Sequence, residues 1–187
     1  WTPAADRAAR RPVMVWLHGG AFSYGSSNSL RLQGMRLCTR GDVVVVTVNQ
    51  RLNIFGHLDL SQFGGAEYAA SGNAGTLDMI AALQWVRDNI AAFGGDAGNV
   101  TIFGESAGSF AVSALTVTPS ARGLFQKVIG ESGAFFGGAV PMTTASERAR
   151  RDQAFVTSLG AANLEELRAM PAGEILAAAQ KLRGVAF

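Results

Sequence analysis

Four short aliphatic runs stand out along the chain, and none of them alternates apolar with polar residues. Runs of this kind are typical of parallel strands, which are buried on both faces of their sheet. The pattern therefore predicts four mostly parallel strands, at Val13–Leu17, Val43–Val48, Val100–Phe103 and Lys127–Gly130.

Helical patterns fill the segments between and after these runs. A long helix is expected over Thr76–Phe93, because apolar residues lie around most of its circumference and a glycine pair follows it as a stop. A second helix is expected over Ser106–Val117, directly after the third strand. Three more are expected at Ala145–Leu159, Leu164–Met170 and Ala172–Leu182. Asn163 and Glu166 fit the N-cap and the capping-box partner of the middle one.

The order of these elements predicts an α/β fold with a mostly parallel central sheet flanked by helices. No repeat, low-complexity segment or domain linker interrupts the 187 residues, and 48% of them are hydrophobic, which is enough for the core of one domain. Residues 1–187 are therefore expected to belong to a single domain.

Composition argues against several classes of function. The 16 basic and 14 acidic residues nearly balance and form no dense basic stripe, so a nucleic-acid partner is not expected. The longest aliphatic run, Val43–Val48, is far too short to span a bilayer. No His pair, C-x-x-C motif or phosphate-binding loop suggests a metal or a nucleotide. The single cysteine, Cys38, excludes a disulfide within the 187 residues.

The motif with the clearest chemistry is Gly104-Glu-Ser-Ala-Gly108, a G-x-S-x-G pattern centred on Ser106. Such a pentapeptide is common by chance in a glycine-rich chain, but here a predicted strand precedes it and a predicted helix follows it. In that context the pattern describes a nucleophile elbow, a strained turn that lifts the serine hydroxyl above the sheet edge. The glycines leave room where strand and helix pass closely.

A matching feature lies upstream, where the strand Val13–Leu17 runs into His18-Gly-Gly-Ala21. Unhindered backbone N–H groups at this strand end could hold the oxyanion of a tetrahedral intermediate, and each such donor is worth about 3–4 kcal/mol in the transition state. A nucleophile elbow takes one donor from the residue after the serine and the others from an HGGG-type loop. A plain glycine turn explains these residues equally well when they are taken alone.

Together these segments make the chain resemble the type-B carboxylesterases. This family of α/β-hydrolases includes p-nitrobenzyl-type esterases, animal carboxylesterases and cholinesterases. The resemblance covers nearly the whole chain. It rests on long segments in a fixed order, namely Val13–Phe22, Val44–Gly56, Gly72–Asp78, Ala81–Gly108 and Glu131–Gly133.

The resemblance implies roles for individual residues. Ser106 is the implied nucleophile. The oxyanion donors are implied to be the backbone N–H groups of Gly20, Ala21 and Ala107. Alanine at position 21 departs from the HGGG pattern without removing that N–H group. Gln50 replaces the aromatic residue or histidine that is usual in the family, and no consequence follows from the sequence.

Further positions are implied around the nucleophile. Ser132 corresponds to a serine that lies behind the catalytic imidazole in the family. Phe135 and Phe136 fall where related enzymes build the acyl side of their pocket, although core packing explains this aromatic pair equally well. The resemblance implies that Phe22 belongs to the same pocket. Glu105, next to the nucleophile, is expected to be buried at the elbow in a structural hydrogen bond or ion pair.

A serine hydroxyl needs a base, and in α/β-hydrolases the triad runs Ser, then Asp or Glu, then His along the chain. The two histidines, His18 and His57, both precede Ser106. His18 is expected to be packed and hydrogen-bonded, and His57 to be a solvated loop residue. The chain is therefore expected to be the N-terminal portion of a catalytic domain, with the later strands, the acid and the histidine in the remainder.

The sequence thus predicts a serine carboxylic-ester hydrolase that forms an acyl-enzyme on Ser106 and needs no cofactor or metal. Two alternatives stay open: a non-catalytic, cholinesterase-like binding module, and an inactive fragment of an esterase. Retention of the serine and the oxyanion segment favours the enzyme. Residues 1–187 alone are expected to be inactive and poorly soluble, because an open sheet edge would expose apolar surface. The ester, the oligomeric state and the compartment are left open.

Overall fold

The computed structural model describes residues 1–135 and 143–181. The chain divides into two compact units. The first unit comprises Trp1–Gln50 and Thr76–Ala139, and the second comprises Arg51–Gly75 and Val140–Phe187. Each unit has an apolar core of its own.

The first unit is built on a sheet in which each described strand is parallel to its neighbours. The strands are, in chain order, β1 (Arg11–Leu17), β2 (Val44–Thr47), β3 (Gly95–Glu105) and β4 (Lys127–Glu131). Their order in the sheet is β2-β1-β3-β4. Strand β1 is an interior strand, in which Val13 pairs in register with Val44 of β2 on one side and with Val100 of β3 on the other. The predicted parallel sheet is confirmed, although β3 begins earlier than expected because Gly95 already pairs with Arg11.

The helices are, in chain order, α1 (Met35–Gly41), α2 (Asn53–His57), α3 (Ser61–Gly64), α4 (Ala74–Asn89), α5 (Ala107–Val117), α6 (Ala145–Ser158), α7 (Leu164–Ala169) and α8 (Ala172–Lys181). Short 3₁₀ segments lie at Leu30–Leu32, Gly65–Tyr68, Ser71–Asn73, Ile90–Phe93 and Pro119–Ala121. The long predicted helix is thus α4 continued by a 3₁₀ turn, and it stops as predicted at Gly94, which has a left-handed φ of 80°. The end predicted at Leu182 lies outside the described residues. No helix in the described ranges combines the length and apolarity that crossing a bilayer requires.

The main core lies between one face of the sheet and the helices α4 and α5. From the sheet, Val13, Val15 and Ile102 are completely buried, and Leu83 and Leu115 meet them from the two helices. Burying a side chain of this size contributes about 1.5–3 kcal/mol relative to leaving it exposed, so this layer holds α5 firmly against the strands. A smaller cluster on the other face joins α1 to the sheet through Cys38, Val43, Val45 and Met14.

Strand β4 departs from the prediction of burial on both faces. All five of its residues are exposed, including Val128 at 46% and Ile129 at 44%. Place at the edge of the sheet is not the cause by itself, because β2 lies at the opposite edge with Val44 and Val45 buried. The described elements cover the faces of β2 and leave the residues of β4 exposed. An aliphatic run indicates a strand but does not indicate which elements cover that strand, so the prediction of burial was wrong here.

The second unit packs its helices around an apolar core of Ile54, Leu58, Phe155, Val156, Leu167 and Ala179. Asp152 is completely buried there. Its carboxylate accepts hydrogen bonds from the backbone N–H of Asp59 at 2.8 Å and from Nε of Arg151 at 2.7 Å. Helix α6 begins with a complete capping box between Thr144 and Glu147, which sequence reasoning missed although the T-x-x-E pattern signals it.

Helix α7 begins at the cap that the sequence predicts. The side-chain oxygen of Asn163 accepts a hydrogen bond from the backbone N–H of Glu166 at 2.9 Å. The Glu166 carboxylate does not accept a hydrogen bond from the backbone N–H of Asn163, as a capping box requires. It accepts instead from the N–H of Ala162 at 2.9 Å and from the Asn163 side-chain amide at 3.0 Å, so the cap is confirmed but the reciprocal box is not formed.

Candidate active site

The carboxyl ends of β1, β3 and β4 lie side by side at the same end of the parallel sheet. Register places Gly104 of β3 beside Leu17 of β1 and Gly130 of β4. Ser106 follows β3 directly and caps α5, with φ 52° and ψ −119°. This backbone conformation is strained for a residue that has a side chain, and it produces the sharp strand-to-helix turn that the G-x-S-x-G pattern predicts.

Two glycines let the first turn of α5 lie against the strand ends. A Cβ at Gly108 would lie 2.0 Å from the carbonyl oxygen of Leu17. A Cβ at Gly104 would lie 2.5 Å from the carbonyl carbon of Gly108. Both contacts are far shorter than van der Waals distance, so a larger residue at either position would push α5 away from the sheet.

The loop after β1 folds back on itself beside this turn. The carbonyl oxygen of Gly20 accepts hydrogen bonds from the N–H groups of Ser23 at 2.9 Å and Tyr24 at 3.1 Å, which closes a tight turn. A Cβ at Gly19 would lie 3.3 Å from the Cβ of Ser106. The loop and the candidate nucleophile are therefore in close contact.

The N–H groups expected to hold an oxyanion come from this loop and from α5. Gly20 and Ala21 have left-handed φ angles of 114° and 54°. Within the described residues, their N–H groups donate no backbone hydrogen bond. Ala107 is the first residue of α5, where an N–H group has no acceptor inside the helix. The fold therefore leaves all three N–H groups available at the carboxyl ends of the strands, where Ser106 lies.

His18 is buried behind the loop, with 3% of its surface exposed. Its Nδ1 lies 2.7 Å from the carbonyl oxygen of Gly19, and the tautomer with hydrogen on Nδ1 donates to that oxygen. A Cβ at Gly25 would lie 2.4 Å from Nδ1, so the returning part of the loop packs directly on the imidazole. His18 is thus packed as expected, with Nδ1 hydrogen-bonded and with a buried Nε2 that has no partner among the described residues.

Two neighbours of the turn have different surroundings. Glu105 is exposed, so the expectation of a buried carboxylate was wrong. The reason is the open cleft in front of the loop, which Glu105 lines. Ser132 is also exposed, and it has a left-handed φ of 55° in the turn after β4. That turn adjoins the elbow, because the N–H of Ser106 donates to the carbonyl oxygen of Glu131 at 2.9 Å.

The phenylalanines expected in a pocket lie in different places. Phe22 is half-buried and packs against the main core. The ring of Phe135 lies 5.3 Å from that of Phe110 in α5, edge to face, and 39% of its surface is exposed. Phe136 lies outside the described residues. Core packing therefore describes Phe22, whereas the ring of Phe135 packs against Phe110 in the helix that follows Ser106.

An open cleft of about 480 Å³ lies in front of the loop and the elbow. Ser106 and residues 19–21 line it. Sequence reasoning missed the rest of its lining, which includes Trp16, Tyr24, Ser26, Ser29 and Leu32. These residues form no motif, and only the fold brings them to Ser106. Within the described part of the chain, no cluster of His, Cys, Asp or Glu side chains could hold a metal ion.

Sequence comparison decides the family. The profile of the carboxylesterase family matches residues 1–186. The chain belongs to the carboxylesterase family. Para-nitrobenzyl esterase of Bacillus subtilis (strain 168) is 48% identical over 174 residues, which are 92% of this chain and 34% of that protein. Carboxylesterase 5A of Felis catus is 44% identical over 189 residues, 97% of this chain and 33% of that protein.

Solved carboxylesterase structures share the fold. Carboxylesterase EST55 of Geobacillus stearothermophilus superposes with a TM-score of 0.93 at 44% identity, over 100% of this chain and 39% of the other. A PNB esterase superposes with a TM-score of 0.85 at 46% identity, over 98% of this chain and 37% of the other. The predicted family and α/β fold are confirmed. The chain spans about a third of the length of the curated relatives it matches.

This carboxylesterase chain has no histidine after Ser106. The Nδ1 of His18 is engaged with Gly19. His57 is half-buried at the end of α2 in the second unit, and a Cβ at Gly75 would lie 3.0 Å from its ring, so the expectation of a solvated loop residue was wrong. The position of the general base stays a prediction.

Proposed function

We propose that this chain provides the nucleophile and the oxyanion hole of a serine carboxylic-ester hydrolase. The observation that carries the proposal is the left-handed turn at Ser106, which opens on the cleft beside a loop with free N–H groups. The proposed donors are the N–H groups of Gly20, Ala21 and Ala107. Membership of the carboxylesterase family supports this reaction class.

In the proposed reaction, Oγ of Ser106 attacks the ester carbonyl while a base takes the hydroxyl proton. The carbonyl oxygen becomes negatively charged, and the preorganised N–H groups stabilise it; removing one such donor typically lowers kcat by about 10²–10³-fold. The alcohol leaves with a proton from the base, and water then releases the acid from the acyl-enzyme. The positive end of the α5 dipole favours the same developing charge.

We place the general base and its acid partner in polypeptide outside these 187 residues. In α/β-hydrolases both follow the serine along the chain. Neither histidine of this chain follows Ser106, and the Nδ1 of His18 is already within hydrogen-bond distance of the carbonyl oxygen of Gly19 in the loop. Residues 1–187 then form the N-terminal part of a single catalytic domain, in which Ser132 lies behind the imidazole. This chain alone is expected not to turn over esters.

The proposed substrate is a small-molecule carboxylic ester. Relatives are named as esterases, among them the para-nitrobenzyl esterase of Bacillus subtilis and Acetylcholinesterase-1 of Trittame loki. We propose the ring of Phe135 as one wall of the acyl pocket, because it packs edge to face on Phe110, which lies one helical turn after Ser106 in α5. A wall of this kind favours a compact or aromatic acyl group.

Labelling of the whole protein with a fluorophosphonate, which captures activated serines, tests the proposal. We expect label on Ser106, found by peptide mapping and intact mass. The Ser106→Ala variant should lose the label and about 10⁴-fold or more of its activity towards p-nitrophenyl esters. The matched control is Ser120→Ala, an exposed serine in the turn after α5. An unlabelled Ser106 in a folded whole protein would overturn the proposal and favour a non-catalytic binding module.

A further inference from the structure

Ser109 is a buried hydroxyl close to the nucleophile that the proposed reaction does not use. It lies in the first turn of α5, and none of its surface is exposed. Its Oγ donates a hydrogen bond to the carbonyl oxygen of Gly133, in the turn after β4. A buried hydroxyl needs a partner, and this one finds it on a segment 24 residues further along the chain.

Strand β4 leaves room for this side chain. A Cβ at Gly130 would lie 2.6 Å from Oγ of Ser109. Any other residue at position 130 would therefore displace the hydroxyl or the helix that carries it. The buried position of the Ser109 hydroxyl therefore requires glycine at position 130.

A second hydrogen bond holds the same turn from its other end. The N–H of Ser106 donates to the carbonyl oxygen of Glu131 at 2.9 Å. Ser132 lies between the two bonded residues and has a left-handed φ of 55°. A non-glycine residue in this conformation is strained and persists where its surroundings hold it. The hydrogen bonds at Glu131 and Gly133 hold Ser132 on both sides.

The turn also sets the position of Phe135. A Cβ at Gly133 would lie 2.6 Å from the carbonyl oxygen of Ser106 and 3.0 Å from the ring of Phe110, so the turn touches the elbow directly. Two residues later, the ring of Phe135 packs edge to face on Phe110. A shift of the turn therefore moves Phe135 relative to Ser106.

We propose that Ser109 is a positioning residue that sets acyl-group selectivity. Its hydroxyl holds the turn 131–133 against α5 and thereby fixes the position of Phe135, which packs on Phe110. The inference rests on the esterase function proposed for Ser106 and on the acyl-pocket wall proposed at Phe135. Ser109 does not touch the ester, so its loss acts on the shape of the pocket. Without the hydroxyl, the carbonyl of Gly133 loses its buried donor and the turn gains freedom to move.

The kinetic test compares Ser109→Ala with Ser113→Ala in the whole protein. Ser113 is the matched control, since it lies one turn further along α5 and its hydroxyl donates to the carbonyl oxygen of Ser109 at 3.0 Å. We measure kcat and KM separately for p-nitrophenyl acetate, butyrate and benzoate. In Ser109→Ala the ratios of kcat/KM among the three esters should change by about tenfold, because a pocket wall moves. In Ser113→Ala they should stay unchanged.

Amide hydrogen exchange gives a readout that does not depend on activity. Residues 131–135 should exchange faster in Ser109→Ala than in Ser113→Ala, because the turn opens more often. Ser109→Cys keeps the shape and a weak donor and should fall between the two. Unchanged exchange in Ser109→Ala, or an equal loss of activity towards all three esters, would overturn the proposal. Failure of the esterase function would show separately, as an unlabelled Ser106 in the unaltered protein.

Discussion

The N–H group of Ser106 donates a 2.9 Å hydrogen bond to the carbonyl oxygen of Glu131, so the residue after β3 is tied to the last residue of β4. The bond extends the register of the sheet, in which Glu105 already pairs with Glu131. The side chain of Ser106 makes no capping bond to α5. Among the described residues, the hydrogen bonds of Ser106 are made by its backbone, from its N–H to Glu131 and to its carbonyl oxygen from the N–H of Phe110, and its hydroxyl is left for the proposed reaction.

Gly20→Ala should lower kcat with little change in KM. A Cβ at Gly20 would lie 2.1 Å from the carbonyl oxygen of Tyr24, so the loop has to open. Opening withdraws N–H groups from the oxyanion, and the loss of one donor lowers kcat by about 10²–10³-fold. Steady-state hydrolysis of p-nitrophenyl acetate by the whole protein checks this.

The control for Gly20→Ala is Gly173→Ala in α8, where an added Cβ meets nothing within 4 Å. This variant should keep its kcat, and alanine should raise the free energy of unfolding by up to about 1 kcal/mol through its helix propensity. Equal activity of the two variants would contradict the role proposed for the loop.

Ala21→Gly should leave activity within about twofold of the parent, because the proposed oxyanion donor is a backbone group that glycine retains. Glycine also accepts the left-handed φ of 54° without steric cost. The free energy of unfolding should change by less than about 1 kcal/mol, since relief of strain is offset by the greater entropy of the unfolded chain. A loss of activity as large as that of Gly20→Ala would show that the methyl group of Ala21 matters.

Asp152→Ala should strongly destabilise the second unit. The variant removes a completely buried carboxylate and leaves the N–H of Asp59 and the guanidinium of Arg151 without this acceptor. Leaving a buried hydrogen-bond donor without its acceptor costs about 1–3 kcal/mol. The Arg151 side chain, which is 27% exposed, keeps access to water. Urea unfolding followed by circular dichroism measures the change. Asp88→Ala, which breaks the exposed pair with Arg87, is the control and should leave the midpoint unchanged.

Glu147→Gln should remove a pH-dependent part of the stability of α6. Hydrogen bonds from the hydroxyl and then the backbone N–H of Thr144 hold the pKa of the Glu147 carboxyl below its usual value of 4.5. A carboxyl with a lowered folded pKa stabilises the fold above its unfolded pKa, and this contribution is lost as the pH falls through the folded pKa. The difference in melting temperature between parent and variant should therefore shrink from pH 7 to pH 3.

Glu174→Gln is the control for that experiment, because Glu174 is also an exposed carboxylate in the first turn of a helix, α8. A pH-dependent difference of the same size there would show that the effect belongs to any acidic residue near a helix N-terminus. The capping box of Thr144 and Glu147 would then not be its source.

Features with local causes could be predicted from the sequence. The turn at Ser106 followed from the five-residue motif together with the aliphatic run directly before it and the helical segment directly after it. The stop at Gly94 and the cap at Asn163 are local in the same sense, and the structure has both. Aliphatic runs located the four predicted strands, because the buried strands of a parallel sheet need a continuous apolar segment, although β3 begins five residues before its predicted start and β4 is exposed.

Features decided by distant segments could not be predicted. The exposure of Glu105 depends on a cleft whose far side is built by the loop that contains Tyr24. The hydrogen bond of Ser109 depends on a partner 24 residues away and on the absence of a side chain at Gly130. The exposure of β4 depends on which other elements cover its faces, and its own sequence does not encode that.

The left-handed backbone at Ala21 and Ser106 has a consequence for how this protein can evolve. Each such residue gives up roughly 1–2 kcal/mol relative to a relaxed backbone. A lineage can exchange Ala21 for glycine and keep the N–H group, although the entropy of the unfolded chain offsets the strain that is relieved. It cannot make the same exchange at Ser106 without discarding its nucleophile. Heat tolerance in descendants of this sequence must therefore accumulate elsewhere, while the turn at Ser106 is inherited with its strain.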